Sequence, residues 1–162
     1  MNHHVLQRRI ETPLGPLTAA RSAAGLSGLW FDGQKHHPGA LDLPHDDGSD
    51  AVLSATEAAL KAYFGGKPFA MPPLDPAGTA FQREVWRALL AIAPGACDTY
   101  GHLAERLGRA QAARALGAAV GRNPISILIP CHRVVGADGS LTGYAGGLAR
   151  KRALLKLEGA PA

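Results

Sequence analysis

Cys131 and His132, adjacent in Pro130-Cys131-His132-Arg133, are the residues best suited to chemistry in this chain. A thiol beside an imidazole is the composition of an activated nucleophile. An unperturbed cysteine, with a pKa of about 8.5, is only a few per cent thiolate at neutral pH. A neighbouring base or positive charge is needed to raise that fraction. The pair alone also fits an inert cysteine, since free Cys is among the most buried residue types. A cysteine hydrolase would need its His oriented by Asn or Asp, and nothing local specifies that. The second cysteine is Cys97, and two cysteines rule out a disulfide framework and a four-thiolate zinc site. A reducing compartment fits better. The seven histidines show no metal-ligand spacing, so no metal is expected.

The segments before Cys131 must position it. Ile125–Ile129 is a short apolar run that reads as a buried strand delivering Pro130-Cys131. Arg122-Asn123-Pro124 ahead of it is a helix stop, at which Asn123 can take a left-handed conformation. Two helices precede the stop. Thr99 caps a short one through Leu107, Gly108-Arg109 makes a turn, and a second runs from about Ala110 to Val120. Ala113, Leu116, Gly117 and Val120 share a face of that second helix, with Gly117 allowing close packing. Helix, short glycine turn, helix is the helix-turn-helix layout, although many helical hairpins bind nothing. Further upstream, Thr79 and Gln82 form a capping box, and Phe81, Val85, Leu89 and Ile92 make a helical stripe up to Pro94-Gly95.

The N-terminal half reads differently. Val5–Glu11, Leu17–Ala20 and Leu26–Phe31 are strands separated by Pro13-Leu14-Gly15-Pro16 and Ala24-Gly25. Asp32–Asp50 has no periodicity and reads as loop; Asp50–Phe64 is helical, and Gly65–Gly78, with four prolines, reads as a linker. The expected fold class is α+β, with a small β-sheet-rich domain over 1–75 and a mainly helical domain over 76–162 carrying a winged-helix-like helix-turn-helix. The length of 162 residues accommodates two such small domains. No apolar run reaches the roughly 18 residues of a membrane span. Met1-Asn2-His3-His4, leading to Arg8-Arg9, lacks the apolar centre of a secretory signal, so a cytoplasmic protein is expected.

Charge separates the two halves. Residues 1–75 carry six Lys/Arg and eight Asp/Glu, a balance of −2, whereas residues 76–162 carry eleven and five, a balance of +6. The second half is where a polyanion would bind. Its second helix is poor in bulk, with Ala110, Ala112, Ala113, Ala118 and Ala119, and Arg114 projects beside the buried stripe. Arg106, Arg109 and Arg122 are near in sequence. Small residues with Arg suit a narrow groove.

The run Asn123-Pro124-Ile125-Ser126-Ile127-Leu128-Ile129-Pro130-Cys131-His132-Arg133-Val134-Val135 closely resembles the active-site signature of the 6-O-alkylguanine-DNA alkyltransferases, also called methylated-DNA–protein-cysteine methyltransferases. The resemblance continues in order and spacing through Phe81-Gln82, Val85-Trp86, Pro94-Gly95, Thr99-Tyr100, Ala112-Ala113-Arg114-Ala115-Leu116-Gly117, Gly143-Tyr144-Ala145-Gly146-Gly147, Leu154-Leu155 and Glu158-Gly159. It covers nearly all of residues 79–159, while the N-terminal part matches only in strand-rich character.

This resemblance implies direct-reversal repair of double-stranded DNA, in which an alkyl group moves once and irreversibly from O6 of guanine to Cys131. Activity on O4 of thymine is left open. His132 would take the thiol proton through a water, Glu158 would orient that relay, and Asn123 would hold the turn bearing Cys131. Tyr100, Arg109, Arg114 and Lys151 are the implied DNA contacts. Among them, Arg114 fills the stack vacated by the flipped nucleotide in the minor groove, and Tyr100 rotates the phosphate and donates a proton to guanine N3. The Val134 carbonyl and the Tyr144–Ala145 backbone would read the guanine edge, with Ser126 and Ala145 lining the alkyl pocket. No cofactor, no zinc, no membrane partner and a monomer are expected. Some relatives carry Pro in place of Ser126 and Ser in place of Ala145, which leaves tolerance for bulky alkyl groups undecided. A helix-turn-helix regulator or a cysteine hydrolase would each leave half of these features idle, and an alkyltransferase-like damage sensor would lack Cys131.

Overall fold

The computed structural model describes residues 3–160; Met1, Asn2, Pro161 and Ala162, which the expected domain limits include, lie outside the described residues. Two compact units are present. One is built from residues up to Ala77 together with Pro124–Ser126, the other from Gly78–Asn123 and from Ile127 onward. Among the described residues the fold is α+β, with a three-stranded sheet, a two-stranded pair and five α-helices. No helix among them is long and apolar enough to cross a membrane.

In the first unit, β1 (Leu6–Ile10), β2 (Leu17–Arg21) and β3 (Leu26–Phe31) form an antiparallel meander in that order. β3 is buried along its whole length, with Leu26, Leu29 and Phe31 fully enclosed. Helix α1 (Ala51–Phe64) starts where the Asp50 carboxylate accepts from the Leu53 amide, and it lays Val52, Leu53, Ala59, Leu60 and Tyr63 into the core. The stretch expected to be a linker is partly structured. Leu26 donates to the Pro73 carbonyl (2.8 Å) and accepts from Asp75 N (2.7 Å), so this segment covers part of the free edge of β3. The approach is close enough to require glycine at position 25, where a Cβ would meet the Pro73 oxygen at 2.6 Å. The loop over 32–50 is pinned too, because Gln7 Nε2 donates to the carbonyls of Leu41 and Leu43, each at 2.9 Å.

The second unit opens with α2 (Ala80–Leu89), whose Thr79–Gln82 capping box is fully formed. The Trp86 indole donates to the Ala119 carbonyl at 2.8 Å, so α2 packs on α4 through a satisfied buried aromatic. Strand β4 (Asp98–Thr99) leads directly into α3 (Tyr100–Arg106), capped by Thr99 through the His102 amide. Gly108, at φ 70°, turns the chain. The expected helix from Ala110 is divided, with a 3-10 turn over Ala110–Ala112 and then α4 (Ala113–Gly121). Position 117 does not demand glycine, since a Cβ there would stand at an ordinary 3.8 Å from the Tyr100 ring. Strand β5 (Val134–Val135) pairs in parallel with β4, and α5 (Leu148–Leu157) buries Leu154 and Leu155.

The approach to Cys131 departs from expectation. Ile125–Ile129 is not a strand. Ile125 makes a single bridge with Leu29, and Ile127 at φ 71° breaks the extended path. Burial alone produced the apolar run, because Ile125, Ile127, Leu128 and Ile129 are all enclosed without strand geometry. Asn123 does not take the left-handed conformation; among the described residues the non-glycine residues with positive φ are His36 and Ile127.

Candidate active site

Cys131 begins a 3-10 turn, Cys131–Arg133, that follows directly on Pro130. The turn is held before and after the thiol. Asn123 Nδ2 donates to the Ile129 carbonyl at 2.8 Å, and the Arg133 amide donates to the Pro130 carbonyl at 3.0 Å. Asn123 is itself buried, so this bond is made away from competing water. Burial pushes the Cys131 thiol up, while a hydrogen bond with the Asn123 side chain and the positive charge of Lys151 pull it back. The free thiol is therefore a poor spontaneous nucleophile that needs a proton acceptor.

A candidate acceptor is next to it in sequence. His132 is fully enclosed, and its Nε2 lies 2.7 Å from Glu158 Oε2. Since a carboxylate accepts only, the neutral imidazole carries its proton on Nε2. Nδ1 then presents a lone pair, and among the described residues it has no hydrogen-bond partner. The Glu158 side chain, 3% exposed at the C-terminal end of α5, also receives Arg133 Nε at Oε1 (2.8 Å) and Nη2 at Oε2 (3.1 Å). Arg133 Nη1 reaches the Ile92 carbonyl at 2.5 Å. Burial lowers the His132 pKa, against the opposing pull of Glu158. The arrangement is a buried thiol followed by an imidazole whose free nitrogen can take a proton and whose other nitrogen is braced by a carboxylate.

Lys151 differs from its expected role as a DNA contact. Its side chain is fully buried in α5, and Nζ donates to the carbonyls of Val134 (2.5 Å), Thr142 (2.7 Å) and Gly143 (3.4 Å). A buried ammonium spent on three carbonyls cannot reach a phosphate, so Lys151 ties β5 to the loop before α5. The Val134 carbonyl thus has one of its two lone pairs engaged. Burial lowers the Lys151 pKa, and the Cys131 and Cys97 thiols work in the opposite direction. In the same loop, Tyr144 stands edge-on to His132 with ring centres 6.4 Å apart, and Ala145 is half-buried. Ser126 belongs to the first unit, where its hydroxyl donates to Gln34 Oε1 at 3.1 Å.

The remaining candidates lie on the helical pair. Tyr100 is the first residue of α3, and Arg114 is exposed on α4. Arg109 sits 5.2 Å over the Phe81 ring and 3.6 Å from Glu84, with half of its side chain exposed. Two residues without an expected role prove to be organised. Arg133 braces Glu158, and its place beside Cys131-His132 was the available signal. Asp98 accepts from the Thr99 amide (2.8 Å) and Arg106 Nη1 (2.7 Å) and meets His102 Nδ1 at 2.7 Å. Although burial opposes it, these contacts hold the Asp98 carboxyl below the usual range. No sequence pattern marks that cluster except the i, i+4, i+8 spacing of its three members. Among the described residues, no group of three or more His, Cys, Asp or Glu side chains could hold a metal ion.

Comparison with known proteins shows which family the chain resembles. A family model described as the DNA-binding domain of 6-O-methylguanine DNA methyltransferase matches residues 80–160. A methylated-DNA–protein-cysteine methyltransferase of Mycobacterium tuberculosis is 46% identical over 152 residues, covering 93% of this chain and 90% of that protein. One from Shigella flexneri is 44% identical over 164 residues, covering 96% of each. Among solved structures, Mycobacterium tuberculosis OGT in complex with DNA superposes with a TM-score of 0.86 at 46% identity, over 98% of this chain and 96% of that one.

Proposed function

Since the chain belongs to the methylated-DNA–protein-cysteine methyltransferase family, we propose that it repairs DNA by transferring alkyl groups from O6 of guanine to its own Cys131. The observation that carries this assignment is the buried Cys131-His132 pair with Glu158 2.7 Å behind the imidazole. His132 Nδ1 accepts the thiol proton through an intervening water. The Cys131 sulfur attacks the alkyl carbon in line with the departing oxygen, so that the S–C bond forms as the O–C bond breaks. The guanine leaves after protonation at N3, for which Tyr100 is the donor. The product is a thioether, a chemically stable bond, so each molecule acts once.

An alkyl carbon stacked inside a duplex is out of reach of a buried thiol, so the nucleotide must be flipped out at a cost of a few kcal/mol. The helical pair α3–α4, read as a winged-helix-like helix-turn-helix, enters the minor groove. There the small side chains of α4 permit close approach and the exposed Arg114 fills the gap in the stack. Arg109 contacts the backbone. Asn123 holds the acceptor turn, while Val134, Tyr144 and Ala145 surround the base and its alkyl group. In functional terms residues 76–162 are the DNA-binding and acceptor domain and residues 1–75 a separate sheet domain, in a monomer acting in the cytoplasm.

Intact and peptide-resolved mass spectrometry after incubation with a methylguanine oligonucleotide tests the assignment. One added methyl on the peptide containing Cys131, and a plateau at one repaired site per protein, are expected. Cys131→Ser should bind the DNA and transfer nothing. A methyl on the exposed Cys97, or repair well beyond one equivalent, would overturn it.

A further inference from the structure

Glu158 serves two donors that compete for it. Its Oε2 faces both His132 Nε2 (2.7 Å) and Arg133 Nη2 (3.1 Å), while Oε1 takes Arg133 Nε (2.8 Å). All three side chains are at least nine-tenths enclosed, so water screens little of their interaction. We infer that Arg133 is a positioning residue for alkyl transfer, which fixes the plane of the Glu158 carboxylate and moderates the negative charge that the imidazole faces.

The guanidinium fork suits the first task, because two parallel N–H donors define both the position and the orientation of a carboxylate. A third contact, from Arg133 Nη1 to the Ile92 carbonyl at 2.5 Å, anchors the guanidinium in turn. Charge counting explains the second task. With His132 neutral, Glu158 and Arg133 cancel, and adding a proton would leave a net positive charge in a buried site that already faces Lys151. Without Arg133 the imidazole would face an uncompensated carboxylate, and protonation would neutralise the site. The groups around His132 are Glu158 and Lys151 from α5, Arg133 and Cys131 from its own turn, and the edge-on Tyr144 ring. Of these, Arg133 and Lys151 oppose the proton, and Arg133 shares the His132 carboxylate directly. A histidine protonated in advance cannot accept the thiol proton, so Arg133 keeps the relay ready at lower pH than Glu158 alone would allow.

This inference rests on His132 being the proton acceptor, and the test separates the two claims. Single-turnover transfer from a methylguanine oligonucleotide is measured against pH for the wild type, Arg133→Gln and Arg133→Lys. The wild type should lose rate on the acid side as His132 protonates; a profile without that limb refutes the relay itself. Arg133→Gln should move the limb upward by about one pH unit, the lower end of the effect of a close charge. Arg133→Lys keeps the charge and loses the fork, so it should slow transfer while leaving the limb in place. A limb unmoved in Arg133→Gln, with only the rate reduced, would make Arg133 a purely structural residue and overturn the inference. Should Arg133→Gln not fold, Arg133→Met takes its place as the uncharged variant: an upward limb in Arg133→Met with an unmoved limb in Arg133→Lys supports the inference, and an unmoved limb in Arg133→Met overturns it.

Discussion

Replacing Glu158 with Gln removes one charge from the relay while keeping its size. The amide oxygen can accept from His132 Nε2 or from Arg133, but it cannot serve the three donor contacts that the carboxylate now receives. Arg133 would be left as a buried cation without a counter-charge. Breaking a buried pair in this way costs about 3–5 kcal/mol. For a chain of this size, each kcal/mol lowers the melting temperature by roughly 2–4 °C, so a fall of roughly 6–20 °C is expected. His132 loses its brace and the carboxylate that stabilises its protonated form, which should slow transfer by about 10²–10⁴-fold. DNA affinity should change little, because the Glu158 side chain is only 3% exposed. The assay is rapid-quench transfer from a methylguanine duplex well below the variant's melting temperature, with binding measured on the same oligonucleotide. A folded Glu158→Gln protein that transfers at the wild-type rate would refute the relay, whatever its stability.

Arg114→Ala should slow repair of duplex DNA far more than reaction with a free alkylguanine base, which needs no extrusion; equal slowing in parallel rate measurements would assign Arg114 to the fold instead. Asn123→Ala removes one of the two donors to the Ile129 carbonyl, which keeps the Cys131 amide at 2.8 Å, and should cost about 0.5–1.5 kcal/mol in thermal or urea denaturation. It also removes a hydrogen bond that favours the Cys131 thiolate, so peptide-resolved iodoacetamide labelling should slow at Cys131 and not at Cys97. Burial lowers the pKa values of His132 and His4 in the folded chain, so the unfolded chain takes up these protons first as pH falls. Their contribution is present above about pH 6.5, the unfolded value, and is lost as pH falls through the folded values. Melting temperature should therefore begin to drop as pH falls through about 6.5, before carboxylates such as Asp98, held below the usual carboxylate range, protonate; a profile that stays flat until the carboxylates protonate would contradict the sign.

Local patterns were legible in the sequence because local forces set them. Thr79 and Gln82 cap α2 and Thr99 caps α3, each through a side chain within three residues of the amide that it serves. The three strands are short runs that the turn signals between them delimit. The Cys131-His132 pair was legible for the same reason, since the two residues are adjacent in the chain. Wherever distant segments decide the outcome, sequence alone gave an incomplete answer. Ile125–Ile129 carries the composition of a strand, yet Leu29 alone supplies a bridge and Ile127 turns the chain away. Lys151 is an implied DNA contact by resemblance, but Val134, Thr142 and Gly143 bring three carbonyls to its ammonium from 8 to 17 residues away and draw it inside. Arg133 acquires its role because α5 ends with Glu158 beside it, 25 residues along the chain. Propensity and capping act over a few residues and can be read in one dimension, whereas the partner of a buried charge is chosen by packing, which only the tertiary structure decides.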